Sequence, residues 1–280
     1  MTFLVTGATG KQGGSVARQL LAQGRPVRAL TRSTTSPAAQ ELARLGATLV
    51  QGDLGDRASL ERAAAGASAI FCVTTSFEGG PAAETQQGIN VADAAKGANA
   101  YLVYTSVANA DKETRIPHFD SKYEVEKHIR KIGVPAAILG PVYFMENLLT
   151  MGRRGLAQKR YATPLSANRI VQQISTEDIG AFAVLALENQ ARFEGKRIDI
   201  GSDQVTGAQV AEILSRILGE PIAYQQTPMD PTSERSIMYE WLERVGYSAD
   251  IAALRRDYPE LHLHSFEEWA KAQDWKALLQ

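Results

Sequence analysis

The chain opens on an apolar run, Met1 to Val5, of the right length for a buried strand. From Ser15 to Leu21 the apolar positions recur at helical spacing instead. Short apolar runs then alternate with helix-periodic segments through the first half of the chain. Strands are expected at Thr2–Thr6, Pro26–Thr31, Ala47–Gln51, Ala69–Thr74, Ala100–Thr105 and Pro135–Leu139. Helices are expected at Gly13–Gln23, Pro37–Leu45, Leu60–Ala65, Glu84–Lys96 and Asp120–Ile132. Several strand segments are continuously apolar, as when both faces of a parallel sheet are covered. Right-handed crossovers then give a doubly wound α/β sheet, with a ligand crevice across the carboxyl ends of its strands.

After Gly140-Pro141 the rhythm changes. Residues 151–173 read as a loop carrying Arg153, Arg154, Lys159, Arg160 and Arg169, a solvated basic segment or an anion-contacting flap. A helix over Ile179–Leu187 follows the cap Thr176-Glu177-Asp178, and Ser265 to Glu268 is a capping box before Trp269. Between them a strand is expected at Arg197–Ile200, a helix at Ala208–Leu218 and a strand at Ile222–Gln225. The expected division is a dinucleotide-binding domain over 1–150 and a smaller mixed C-terminal lobe on the substrate side over 151–280, partly interleaved with the first.

Between the first strand and first helix lies Thr6-Gly7-Ala8-Thr9-Gly10-Lys11-Gln12-Gly13. A strand, a glycine turn and a helix N-terminus together cradle phosphate, because free N–H groups and the helix dipole point at the anion. Gly7 permits the turn, Gly10 admits a pyrophosphate closely, and Gly13 lets helix pack on strand. Thr9, Lys11 and Gln12 line the same loop. The second strand ends Val27-Arg28-Ala29-Leu30-Thr31-Arg32-Ser33, with no acid to bind a ribose 2′-hydroxyl. Arg32 stands where a guanidinium grips a 2′-phosphate, so NADP(H) is the expected cofactor.

Composition narrows the classes. The 30 basic and 31 acidic residues nearly cancel, which gives no basic field for nucleic acid. Cys72 is the one cysteine, so no intramolecular disulfide forms; it sits in an apolar run, as a buried structural thiol does. No Cys/His cluster has metal spacing, and no apolar run approaches a membrane span. No leader pattern precedes the first strand, and a cytoplasmic protein is expected.

The G-x-x-G-x-x-G spacing resembles the extended and atypical short-chain dehydrogenase/reductases. These use Ser, Tyr and Lys, the last two as Y-x-x-x-K on one helix face. Two registers are present here. Tyr123 and Lys127 match the literal pattern; His118 and Lys122 match if His118 replaces the tyrosine. The second suits the family better, since Ser121, Lys122 and Glu126 fall into its Y-G-x-S-K-x-x-x-E frame and Ser106 lies 12 residues before His118. The resemblance then implies Lys122 as the cofactor-contacting catalytic residue, with His118 and Ser106 as its partners. It also implies cofactor contacts from Asp53 and Leu54 after the third strand, and from Thr74 and Thr75 after the fourth. Without the tyrosine an epimerase is disfavoured, whereas hydride transfer needs positioning more than a strong acid.

More specifically, the chain resembles the NmrA-like family of atypical short-chain dehydrogenase/reductases. The matching pieces are Gly7 to Val16, Phe119 to Glu126, Ile132 to Pro135, Phe144 to Asn147, Glu177 to Gly180 and Phe266 to Trp269. The resemblance implies a doubly wound parallel Rossmann sheet with a smaller mixed lobe. It further implies a site in which Tyr143, Phe144 and Asn147 follow the sixth strand toward the nicotinamide. Two activities are consistent with it. One is an NADPH-dependent reductase of a small quinone-like or aromatic acceptor; the other is a silent NADP(H) sensor that binds a protein partner.

Overall fold

The computed structural model describes residues 1–230 and 232–279. The first half runs β1 (Phe3–Val5), α1 (Lys11–Ala22), β2 (Val27–Thr31), α2 (Pro37–Arg44), β3 (Thr48–Gln51) and α3 (Arg57–Ala64). It continues with β4 (Ala69–Val73), α4 (Gly80–Gly97), β5 (Tyr101–Thr105), α5 (Pro117–Ile132) and β6 (Ala136–Pro141). Then come β7 (Tyr143–Phe144), a π-helical turn at Leu148–Gly152, α6 (Arg153–Leu156), β8 (Arg160–Thr163), β9 (Ile170–Ile174), α7 (Thr176–Glu188) and α8 (Gln190–Phe193). The rest is β10 (Arg197–Ile200), β11 (Asp203–Thr206), α9 (Gly207–Leu218), β12 (Ala223–Gln226), α10 (Glu234–Arg244), α11 (Ile251–Asp257), α12 (Phe266–Lys271) and α13 (Trp275–Leu279).

Seven strands form the central parallel sheet in the order β10-β6-β5-β4-β1-β2-β3. β1 pairs with both β2 and β4, so the strand order reverses there. That reversal is a topological switch point, and the crevice outside the carboxyl ends of β1 and β4 is the binding position such a sheet provides. The doubly wound expectation holds.

The expected strands and helices of this half are present, with shifts at the helix starts that have local causes. Asp56 caps α3 by accepting from the Ser59 N–H at 3.3 Å, so the helix begins at Arg57. Pro81 and Pro117 occupy first-turn positions of α4 and α5, where a missing N–H costs nothing. His118 therefore lies inside the first turn of α5 rather than ahead of the helix.

The chain divides into two compact units, Met1–Gly140 with Ile179–Ile198, and Pro141–Asp178 with Asp199–Gln280. In the first, Leu4, Leu30, Ile70, Leu102 and Ile138 from the strands pack with Leu60, Val91, Val125 and Ile129 from the helices. Glycine sets how closely two helix pairs approach. A Cβ on Gly88 would stand 2.4 Å from Val125, and one on Gly180 would stand 2.3 Å from the Ser15 hydroxyl. The α4–α5 pair runs parallel and in register: Thr85 bonds the Ser121 carbonyl at 3.2 Å, Asp93 meets His128 at 2.8 Å, and Lys96 bonds the Ile132 carbonyl at 2.7 Å.

In the second unit, β11, β9 and β7 form one small mixed sheet and β12 with β8 another. Residues 151–173 are thus not a loop, because they contain α6, β8 and most of β9. Of the charged positions that make the segment read as solvated, Arg153 and Arg154 lie on the short helix α6, Arg160 opens β8, and Lys159 and Arg169 stand just ahead of β8 and β9. Met145, Leu148, Val210, Leu214, Phe266, Trp269 and Trp275 form the core of this unit. Its family-like segments are tied together by hydrogen bonds. Glu146 accepts from the Thr176 N–H at 2.9 Å and the Trp269 indole at 3.2 Å, while Asp178 meets His264 at 2.6 Å.

Candidate functional site

The glycine turn lies where β1 meets the switch point. Gly7 has φ +57, and a Cβ there would meet Val73 at 2.6 Å. Gly10 donates its N–H to the Gly7 carbonyl at 2.8 Å and precedes α1 without any side-chain cap. A Cβ on Gly13 would lie 2.4 Å from the carbonyl oxygens of both Gly7 and Thr6, so only glycine fits. Thr9, Gly10 and Lys11 are exposed on this turn. The buried Gln12 Oε1 has no hydrogen-bond partner. An uncapped first turn, a glycine-only close approach and an unsatisfied amide oxygen fit the phosphates of a dinucleotide. Thr6, absent from the expected site, is fully buried and holds the turn in place: its hydroxyl accepts from the Val73 N–H at 3.0 Å.

Beyond β2, Arg32 reaches Glu78 on the segment after β4. Nη1 lies 2.5 Å from Oε2 and Nη2 lies 2.9 Å from Oε1, a two-bond fork. Arg32 and Asp53 also line an open groove of about 450 Å³ with Gln51, Gly52, Asp56, Ser59 and Arg62. Asp53 itself serves a turn, accepting from the Gly55 N–H at 2.7 Å. Leu54 packs partly against the core, and its carbonyl accepts from Asn90 at 2.9 Å. Thr75 is exposed and accepts from the Phe77 N–H at 3.3 Å.

The carboxyl end of β4 meets the start of α5 at Lys122. Its Nζ donates to Glu84 Oε1 at 2.6 Å and to the Thr74 carbonyl at 3.2 Å. Glu84, on α4, is completely buried; its other oxygen accepts from the Ser121 hydroxyl at 2.6 Å, and Thr74 Oγ1 lies 3.3 Å from Oε1. Two of the three ammonium N–H bonds are therefore directed within the protein, and one remains for a ligand. Glu84 is the site residue that sequence reasoning missed. Its signal was the α4–α5 register: Glu84 and Ser121 each stand four residues before the close-packed pair Gly88 and Val125.

The other candidates separate. Ser106 is buried at the end of β5 and donates to Glu126 at 2.5 Å, not to the Lys122 cluster. Glu126 is fully buried between Arg130 at 2.9 Å and Arg197 at 3.0 Å. His118 stands edge-on to Phe119, with ring centroids 5.0 Å apart. In the alternative register, the Lys127 ammonium lies 5.5 Å from the centre of the Tyr123 ring and binds Glu124 at 2.5 Å. That pair forms a surface stack, joined by Arg130. The buried phenol of Tyr104 does not replace the missing tyrosine, since burial pushes it well above its ordinary range. Cys72 is buried and its thiol is pushed up to about 12 by the same effect.

In the second unit, Tyr143 and Phe144 are half-buried on β7, and the Tyr143 hydroxyl lies 3.5 Å from that of Tyr239. Burial, first of all, and the neighbouring tyrosines push the Tyr143 phenol upward. Asn147 opens the π-helical turn, and its carbonyl accepts from Thr150 at 3.2 Å. Among the described residues no group of three or more His, Cys, Asp or Glu is disposed to hold a metal ion. No helix among them is long and apolar enough to cross a membrane.

The reversed strand order and the glycine turn make this a Rossmann-type doubly wound protein with a smaller mixed unit. The chain belongs to the NmrA-like family, whose model matches residues 1–270. It is similar to a (4-alkanoyl-5-oxo-2,5-dihydrofuran-3-yl)methyl phosphate reductase of Streptomyces griseus, 28% identical with 96% of each chain covered. Quinone oxidoreductase 2 of Escherichia coli is 29% identical, with 79% of this chain and 76% of that protein covered. An NADPH-dependent quinone oxidoreductase from Escherichia coli, crystallised with NADPH, shares the fold with a TM-score of 0.81 at 24% identity, covering 96% of this chain and 98% of that one.

Proposed function

We propose that this protein is an NADP(H)-dependent oxidoreductase that reduces a small quinone-like or aromatic acceptor. The observation that carries the reading is Lys122, whose ammonium is fixed by a fully buried carboxylate at the carboxyl end of β4 with one N–H to spare. The nicotinamide, when bound, supplies the hydride. The chain's part is to bind and orient. The uncapped N–H groups of α1 hold the pyrophosphate, and Gly13 keeps that approach open. Lys122 donates its remaining N–H to a ribose hydroxyl and fixes the nicotinamide face. His118, four residues earlier on the same helix face, delivers a proton to the reduced acceptor. Arg32 receives the 2′-phosphate, because β2 ends without an acid. The two reductases above, named for an oxo-dihydrofuran phosphate and for quinones, support a small carbonyl-bearing acceptor.

The test follows NADPH absorbance with purified protein against quinones, dyes and aldehydes, beside a cofactor titration. Steady oxidation that Lys122→Met abolishes supports the enzyme. Tight NADPH binding without oxidation of any acceptor refutes it and leaves the sensor reading, whose partner protein would then be sought.

A further inference from the structure

The segment Thr75–Gly80 between β4 and α4 is tied to the rest of its unit by the fork between Arg32 and Glu78, 46 residues apart in sequence. Glu78 is otherwise solvent-exposed, and so is its neighbour Phe77, at 84%. The segment ends in Gly79 and Gly80, the latter at φ +77, a left-handed conformation that glycine adopts without a Cβ penalty. A planar guanidinium accepts a carboxylate and a phosphate through the same two parallel N–H bonds. Glu78 therefore occupies the bonds by which Arg32 would grip a phosphate.

We propose that Glu78 is an internal competitor for the cofactor's 2′-phosphate, which makes it a specificity-determining residue. This rests on the reading of Arg32 as the 2′-phosphate contact. NADPH must displace a carboxylate from Arg32, whereas NADH presents no 2′-phosphate to Arg32 and leaves the fork closed. The exchange goes forward because a phosphomonoester carries more charge than a carboxylate and because an exposed ion pair opens readily. Arg62, in the same groove, offers the phosphate a second cation. Asp53 and Asp56 in that groove oppose it, which makes the balance sensitive to the single charge on Glu78. Closure of the fork lowers the apparent NADPH affinity by the fraction of molecules in which it is closed. NADPH binding consequently frees Thr75–Gly80 and the exposed Phe77, a change that NADH does not produce.

Calorimetric titration of the full chain with NADPH and with NADH tests this on Glu78→Gln, Glu78→Asp and Arg32→Ala. Both Glu78 variants are expected to tighten NADPH by roughly threefold to fivefold, the upper part of the range an exposed ion pair commands, and to leave NADH within about twofold. Glu78→Asp separates the fork from simple repulsion: it keeps the charge but shortens the reach. NADPH binding to Glu78→Asp that matches wild type, or an equal gain for both cofactors, overturns the proposal. Amide hydrogen exchange across 75–80 should accelerate with NADPH and not with NADH; equal responses also overturn it. Arg32→Ala distinguishes the failure of the underlying reading. If it weakens both cofactors equally, Arg32 is not the 2′-phosphate contact; if it is selective while the Glu78 variants bind as wild type, only the competitor fails.

Discussion

Removal of the Lys122 ammonium tests whether the buried carboxylate beneath it is held by that charge. Glu84 is 0% exposed and the Lys122 side chain only 14% exposed, so water cannot replace the lost partner. In Lys122→Met the carboxylate keeps only the Ser121 and Thr74 hydroxyls. An unpaired buried charge of this kind costs about 3–5 kcal/mol. With a urea m-value near 2–3 kcal/mol/M, a loss of about 3 kcal/mol moves the midpoint by about 1–1.5 M. The double variant Glu84→Gln/Lys122→Met removes both charges and should regain most of that loss, a coupling of at least about 2 kcal/mol. The three tryptophans, Trp241, Trp269 and Trp275, all lie in the second unit, so their fluorescence does not report this region. Hydrogen exchange of the α4 and α5 amides under urea does. A single variant with a shift below about 0.3 M, or a double variant whose loss equals the sum of its parts, would refute the argument.

Four further outcomes follow from single residues. Gly13→Ala places a methyl 2.4 Å from two carbonyl oxygens, so it should abolish dinucleotide binding and cost roughly 1–3 kcal/mol; Gly97→Ala, a helical position with nothing within 4 Å, should instead stabilise by about 0.5–1 kcal/mol. Burial lowers the His264 imidazole, but its bond to Asp178 and the nearby Glu177 and Glu268 outweigh that and leave it raised above 6.5. The stability it contributes is complete below 6.5 and is lost as pH rises through the raised value. Its partner Asp178 is pushed up by burial against the pull of His264. Tryptophan-detected unfolding should therefore show wild type losing stability above pH 6.5 relative to His264→Gln, and parallel curves would remove the pair from this role. Cys72, buried with its thiol pushed up to about 12, should resist a thiol reagent until the protein unfolds.

The parallel sheet was legible because both faces of each central strand are buried, which writes continuous apolar runs into the chain. The second unit was less so. β7, β8 and β11 are only two to four residues long, too short to show a period, and Arg160 at the start of β8 reads as solvent. At the site, glycine positions were legible because close backbone approach excludes every other residue. Glu84 was not, since a buried carboxylate on a helix has no local pattern; only its pairing with Lys122, 38 residues away, gives it meaning. The Arg32 contact shows the complementary limit, because the residue stands where the sequence places it but its partner lies 46 residues further on.

The two buried carboxylates distinguish the two catalytic candidates. Glu126 meets two guanidinium groups, Arg130 and Arg197, and takes the Ser106 hydroxyl on its other oxygen at 2.5 Å. Arg197 in turn donates to the Val107 carbonyl at 3.0 Å, so this network closes on the protein itself. Glu84 meets a single ammonium that keeps one N–H in reserve. Ser106 therefore holds the loop after β5, whereas Lys122 keeps an N–H for the cofactor contact proposed above. Ser106→Ala should cost about 1–3 kcal/mol, since it removes a donor from a buried charge, while turnover per folded molecule falls by less than about threefold. A loss of a hundredfold or more in kcat with unchanged stability would return Ser106 to the chemistry, because no closed structural network produces that pattern.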